Sequence, residues 1–146
     1  MCKAKDELEK IAIEDALIDS KLEELARLKS MATKVTSAMS GEAVSGSRSG
    51  DKLANAVARI IEMEAEIDRL VDSYVDRKKF LAGLVDRLPK AEWISVIYGH
   101  YYQGKSYEKL AEEMGYSRRN VCYLNGDAVA ELDKMLREEK RFPEIS

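Results

Sequence analysis

One histidine, two cysteines and two prolines in 146 residues leave little room for several kinds of chemistry. His100 alone cannot build a histidine metal cluster or a histidine-based pH switch. It has no companions arranged for a nucleophile triad and reads as a surface or packed ring. Cys2 and Cys122 lack metal-ligand spacing, and thiols so far apart in sequence read as reduced rather than bridged. No apolar run approaches a membrane span, and Met1-Cys2-Lys3-Ala4-Lys5-Asp6 leads into no signal-peptide core. A cytoplasmic chain with no membrane partner is expected. The Gly/Ser-rich stretch Ser40 to Gly50 lacks the G-K-[ST] of a phosphate-cradling loop and reads as a flexible link. Glu112-Glu113 and Glu138-Glu139 are carboxylate pairs, but adjacent helical residues point apart, so they read as solvated faces. No catalytic residue, metal ligand or cofactor is therefore expected, and no enzyme.

Positive charge is also not in excess. The net charge is −3, and from Leu88 onward nine Lys plus Arg stand against ten Asp plus Glu. A DNA-binding face would need its cations gathered near Lys105, Lys109, Arg118 and Arg119, or help from a partner or a second subunit.

What is present is helical. The chain is 45% hydrophobic and 35% charged, and its apolar residues recur at three and four. Leu8, Ile11, Ile18, Leu22, Leu25, Leu28, Ala32 and Val35 predict a helix over 6–39. Asp51 is a good N-cap for a second helix over 51–88, carrying Leu53, Val57, Ile60, Ile67, Val71, Tyr74, Leu81, Val85 and Leu88, with Glu64 and Lys78 interrupting. Gly83 marks a possible bend. The expected fold is all-α: a long antiparallel helical hairpin, then a small domain of three or four helices. Leu88-Pro89 sets the boundary between domains 1–88 and 89–146, because the residue before proline is pushed out of the helical region and Pro89 suits a helix start. Apolar stripes on only two helices bury little, so a homodimer or higher homo-oligomer is expected.

The stretch S-Y-E-K-L-A-E-E-M-G-Y-S-R-R-N-V-C-Y-L-N-G, Ser106 to Gly126, has the register of a helix-turn-helix. Ser106 caps a helix bearing Tyr107, Leu110, Ala111 and Met114. Gly115 ends it with positive φ, and Ser117 caps the next helix, whose inward face is Val121, Leu124 and Ala128. Ahead of it, residues 90–103 predict a helix with Trp93, Ile94, Ile97 and Tyr101 on its apolar face. Arg118, Arg119, Asn120, Cys122 and Tyr123 are left outward near the start of the second helix, the end that such motifs place in the major groove. Six of the seven tyrosines fall between Tyr98 and Tyr123. Tyr98, Tyr101 and Tyr107 read as core rings with hydroxyls at the edge. Tyr123, more than Tyr102 or Tyr116, shares the face of the two arginines. Cys122 beside those arginines has two readings, a small packing residue first and a redox-sensitive thiol second.

Leu88 to Val121 also resembles region 4 of the sigma-70 family, which binds the promoter −35 element. Leu88-Pro89, Tyr101-Tyr102-Gln103-Gly104 and Leu110-Ala111, Met114-Gly115, Ser117 carry the likeness. The whole chain, including L-K-S-M-A-T-K-V-T-S and G-D-K-L-A-N-A-V-A-R-I, resembles small phage and prophage proteins of Gram-positive bacteria with such a C-terminal domain. Some of those are taken to be late-gene transcription activators. The resemblance implies double-stranded DNA as ligand and RNA polymerase as a partner. Cys122-Tyr123 stands where region 4 usually has a polar or basic residue, which argues against an ordinary −35 hexamer. Nothing resembles the segment with which sigma factors open the −10 region, so a complete sigma factor is not expected.

Two functions compete. In the first, a transcription regulator binds DNA through Lys105, Ser117, Arg118, Arg119, Asn120, Cys122 and Tyr123. In the second, the chain is a non-enzymatic interaction module whose coiled hairpin is the active part, docking on RNA polymerase or a phage protein.

Overall fold

A computed structural model describes residues 3–41 and 47–139. Helices α1 (Lys3–Gly41) and α2 (Ser47–Val85) form the long hairpin. They are followed by α3 (Ala91–Ile97), one π-helical turn (Tyr98–Tyr102), α4 (Tyr107–Met114) and α5 (Arg118–Glu138). The fold is all-α, with no strand among the described residues. No described helix is long and apolar enough to cross a membrane.

Both hairpin helices run further into the expected link than the sequence predicts, and α2 closes short of Leu88. α1 reaches Gly41, and α2 begins at Ser47, so Asp51 lies inside a helix instead of capping one. Once a helix exists, each added residue gains a backbone hydrogen bond, and serine or a single glycine opposes this only weakly. Of the link expected at 40–50, residues 40–41 and 47–50 are therefore helical, and 42–46 lie outside the described residues, as does Cys2. α2 runs through Gly83 and closes at Val85, with the amide of Leu88 bonded to Val85 O at 3.0 Å. Pro89 stands just ahead of Lys90, the N-cap of α3, instead of in its first turn.

The packing does not follow a boundary at Leu88-Pro89. The chain divides into two compact units, one with described residues 3–15 and 73–139, the other with 16–72. In the first, the base of the hairpin belongs to the core. Ala4, Leu8 and Ile11 of α1 and Leu81, Leu84 and Val85 of α2 are buried with Leu88, Ile97, Tyr101, Ala128, Val129, Leu132 and Leu136. Arg77, only 3% exposed, is held by Glu7 at 2.9 Å and by Glu14. Burial alone would lower its pKa, but the hydrogen bonds it donates to the two carboxylates hold it above the ordinary value. Asp133 of α5 accepts from the amide of Ala4 at 3.1 Å, a carboxylate placed against the first turn of α1.

The second unit is two antiparallel helix segments. Leu25, Met63 and Ile67 form its buried cluster, with Leu28 and Ile60 against it. Lys21–Glu66 at 2.6 Å and Lys29–Glu64 at 3.3 Å span the pair. Of the expected stripes, Leu22, Val57 and Val71 are exposed, and Met63 is buried instead.

Candidate nucleic-acid interface

α4 and α5 are framed as the sequence register requires. Ser106 Oγ accepts from the amide of Lys109, and Ser117 Oγ from the amide of Asn120, both at 3.1 Å. Each cap satisfies a donor that a helix start would otherwise leave open. Gly115 adopts φ 72°, and the amides of Gly115 and Tyr116 both return to Ala111 O. This is a Schellman-type closure, and Tyr116, the residue after the left-handed glycine, packs on the adjoining core. That core is Val96, Leu110, Ala111 and Val121, with Met114 and Leu124 partly buried against it. Small Ala111 lets the two helices approach.

The helix before the motif widens instead of continuing as α. The amide of Gln103 bonds Tyr98 O at 3.0 Å and that of Lys105 bonds Gly99 O at 2.9 Å. Gly99 lies against Leu110, where a Cβ would drive into Leu110 Cδ2. Gly104, at φ 70°, then turns the chain. His100 donates from Nδ1 to Lys105 O at 2.8 Å and stacks on Tyr107 with centroids 4.2 Å apart. It is a packed ring that closes this loop.

The tyrosines divide by partner. Tyr101 and Tyr107 direct their hydroxyls at Asn125 Nδ2, which donates to them at 3.2 and 3.1 Å. Burial pushes the Tyr101 hydroxyl up to about 12. Tyr98 donates to Asp86 at 2.6 Å and also rises to about 12, through burial first and Asp86 second. Tyr102 donates to Lys78 O, and Tyr116 to Glu92. Tyr123 is turned to solvent, 59% exposed.

The predicted site residues are brought together unequally. Arg118, Arg119, Asn120 and Tyr123 are exposed on the first turns of α5. Arg119 Nε donates to Tyr123 Oη at 3.2 Å, with its guanidinium 5.8 Å from the ring centre. Arg118 is paired with Glu108 at 2.7 Å, and Lys105 with Glu113 at 2.9 Å. Glu108 is held below the usual carboxylate range by a hydrogen bond from its own backbone amide first and by Arg118 after that. Glu113 is lowered mainly by its hydrogen bond from Lys105. Ser117 spends its hydroxyl on the cap. Cys122, expected outward, is half-buried and near Tyr107, whose hydroxyl it helps to raise after burial. One residue beyond Val121, it sits on the flank of the buried stripe.

Asn125 is the residue that sequence reasoning missed. It is 9% exposed, and its Oδ1 meets no donor among the described residues. Its spacing from Val121 and Ala128 put it on the inward face, but its polarity hid it. Gly126 continues the outward line of Arg119 and Tyr123. A Cβ there would meet nothing, so the helix surface is low at that point.

No family model, curated protein or solved structure matches the chain.

Proposed function

We propose that the protein reads double-stranded DNA through the first turns of α5, as a regulator acting at a promoter or operator. The observation that carries this reading is the capped α4–turn–α5 frame with Arg118, Arg119, Asn120 and Tyr123 exposed at the start of its second helix. Such a helix enters the major groove by that end. Arg119 is the principal base or phosphate contact, with Tyr123 one turn on reaching sugar–phosphate or a thymine methyl. Arg118 and Lys105 contribute after exchanging Glu108 and Glu113 for phosphate. The amides at the start of α5 favour an anion. The resemblance to sigma region 4 and to phage regulators supports a promoter as the site and RNA polymerase as a partner.

The same ion pairs favour a second reading. Glu108 and Glu113 neutralise two of the three cations the site relies on, as suits a helical domain that docks on protein. Selection of bound sequences from a random DNA pool, followed by a salt titration, separates the two. A DNA reader selects a consensus, and log K falls with log salt at about −0.9 per phosphate neutralised. Arg119→Ala then weakens binding at least about tenfold, Arg118→Ala somewhat less, and Glu108→Gln strengthens it. No selected sequence and no binding at low salt would establish the docking module instead.

A further inference from the structure

We propose that the chain pairs with a second copy of itself through one side of the 16–72 unit, an apolar groove there receiving Leu17 of the other copy. Along α1, Leu17, Lys21, Glu24, Leu28, Met31 and Val35 follow at alternating spacings of four and three, so they line one side of the helix. Leu17 is 41% exposed and Met31 45%. Leu28, Met31 and Val35 form an open groove of about 500 Å³ with Lys52, Asn55 and Ala56 of α2. The unit's own core is too thin to account for these apolar groups, and small helical units commonly supplement such cores by oligomerising.

The charges on this side say what covers it. Lys21 pairs with Glu66, Arg27 with Glu24 at 2.9 Å, and Arg59 with Glu62 at 3.6 Å. Glu24 is lowered mainly by its hydrogen bond from Arg27, and the charge of Arg59 adds to this across the helix pair. With Lys52 at the groove and Arg69 near Glu66 the side carries more bases than acids, but the signs alternate along it. A two-fold axis beside Ala26 sets two α1 helices antiparallel and carries the partner's Leu17 opposite Val35, into the groove. It also brings Glu24 of each copy beside the partner's Arg27. On α2 the same axis passes near Met63 and sets Arg59 beside the partner's Glu66. The other apolar stripe, Val57, Ile61, Glu64, Asp68 and Val71, holds two acids at its centre, with Lys29 answering Glu64. A two-fold axis there stacks like charges. The proposed face is about 27 Å long and two helices wide, of the order of the ~800 Å² per partner in a standard interface.

Sedimentation of the full chain at roughly tens of micromolar, without DNA, should give a dimer. Leu17→Glu should raise its dissociation constant at least about tenfold with helical content unchanged, since the side chain is already partly in solvent. Glu24→Arg and Arg27→Glu should each weaken self-association. Mixed together, they should form a heterodimer at least about tenfold tighter than either makes with itself, which an ion pair confined to one chain cannot produce. A monomer at these concentrations, a mixture no tighter than its components, or dissociation by Ile61→Glu but not by Leu17→Glu would overturn the proposal. None of these readouts depends on DNA binding.

Discussion

The two units are built from the same pair of helices, and they bury them very differently. In residues 3–15 and 73–85 the hairpin contributes Leu8, Ile11, Leu81, Leu84 and Val85 to a core shared with α3, the π-helical turn and α5, and it hides a charged network at Arg77. In residues 16–72 the same kind of amphipathic sequence has Leu25, Met63 and Ile67 for a core and leaves Leu22, Val57 and Ile61 in solvent. The difference teaches that a helical stripe is worth only what packs on it. Lys21–Glu66 and Arg77–Glu7 are both lysine- or arginine-to-glutamate pairs between α1 and α2. The first is open to solvent, which screens it, so it adds little, whereas the second is buried, so its disruption strands a charge.

The largest expected effect tests the deeper core. Val121 is fully buried, so Val121→Asp should cost about 5 kcal/mol or more and unfold the larger unit, seen as loss of the tyrosine near-ultraviolet signal. Ile61→Asp, on the exposed side of α2, should change the chemical midpoint by no more than about 0.5 kcal/mol. Equal effects would break the comparison.

The ion pairs come next. Arg77→Ala should lose about 3–5 kcal/mol, because Glu7 and Glu14 are left without their base. Lys21→Ala should lose far less, since water screens its pair with Glu66. Chemical denaturation of both variants measures the contrast, and a mild Arg77 variant would mean that the network opens to water.

A smaller effect appears with alkali. Tyr98 and Tyr101 have folded pKa values raised to about 12 from an unfolded value of 10.0. The folded state therefore holds their protons more tightly. This contribution to stability is complete below about pH 10 and is lost as pH rises through about 12. Residues 16–72 contain no tyrosine, so the loss should fall on the larger unit. Tyr98→Phe should flatten the decline in denaturation midpoint between about pH 10 and 12. An unchanged slope would show that the Tyr98–Asp86 contact does not resist titration.

Local signals were the legible part. Ser106, Gly115 and Ser117 act through their own backbone and nearby amides, so their roles could be read from twenty residues without knowing what packs around them. The apolar period made α1 and α2 certain as helices, although their ends ran past Asp51 and into the expected link because helix propagation is permissive. The outward placement of Arg118, Arg119, Asn120 and Tyr123 also followed from period alone.

Other features depended on which faces meet. Whether Arg77 is a surface base or a buried one is decided by Glu7 and Glu14, some seventy residues earlier. Asn125 is buried because Tyr101 and Tyr107 bring it hydroxyls. The turn at Tyr98–Tyr102 widens to π where Gly99 meets Leu110. The ion pairs that neutralise Arg118 and Lys105 use Glu108, which the sequence reading left unassigned, and Glu113, which it put on a solvated face. The sequence by itself determined the helices and their caps, since those are short-range hydrogen bonds and periodicity. Only the tertiary structure decided burial, pairing and the division into units, since those are set by partners distant along the chain.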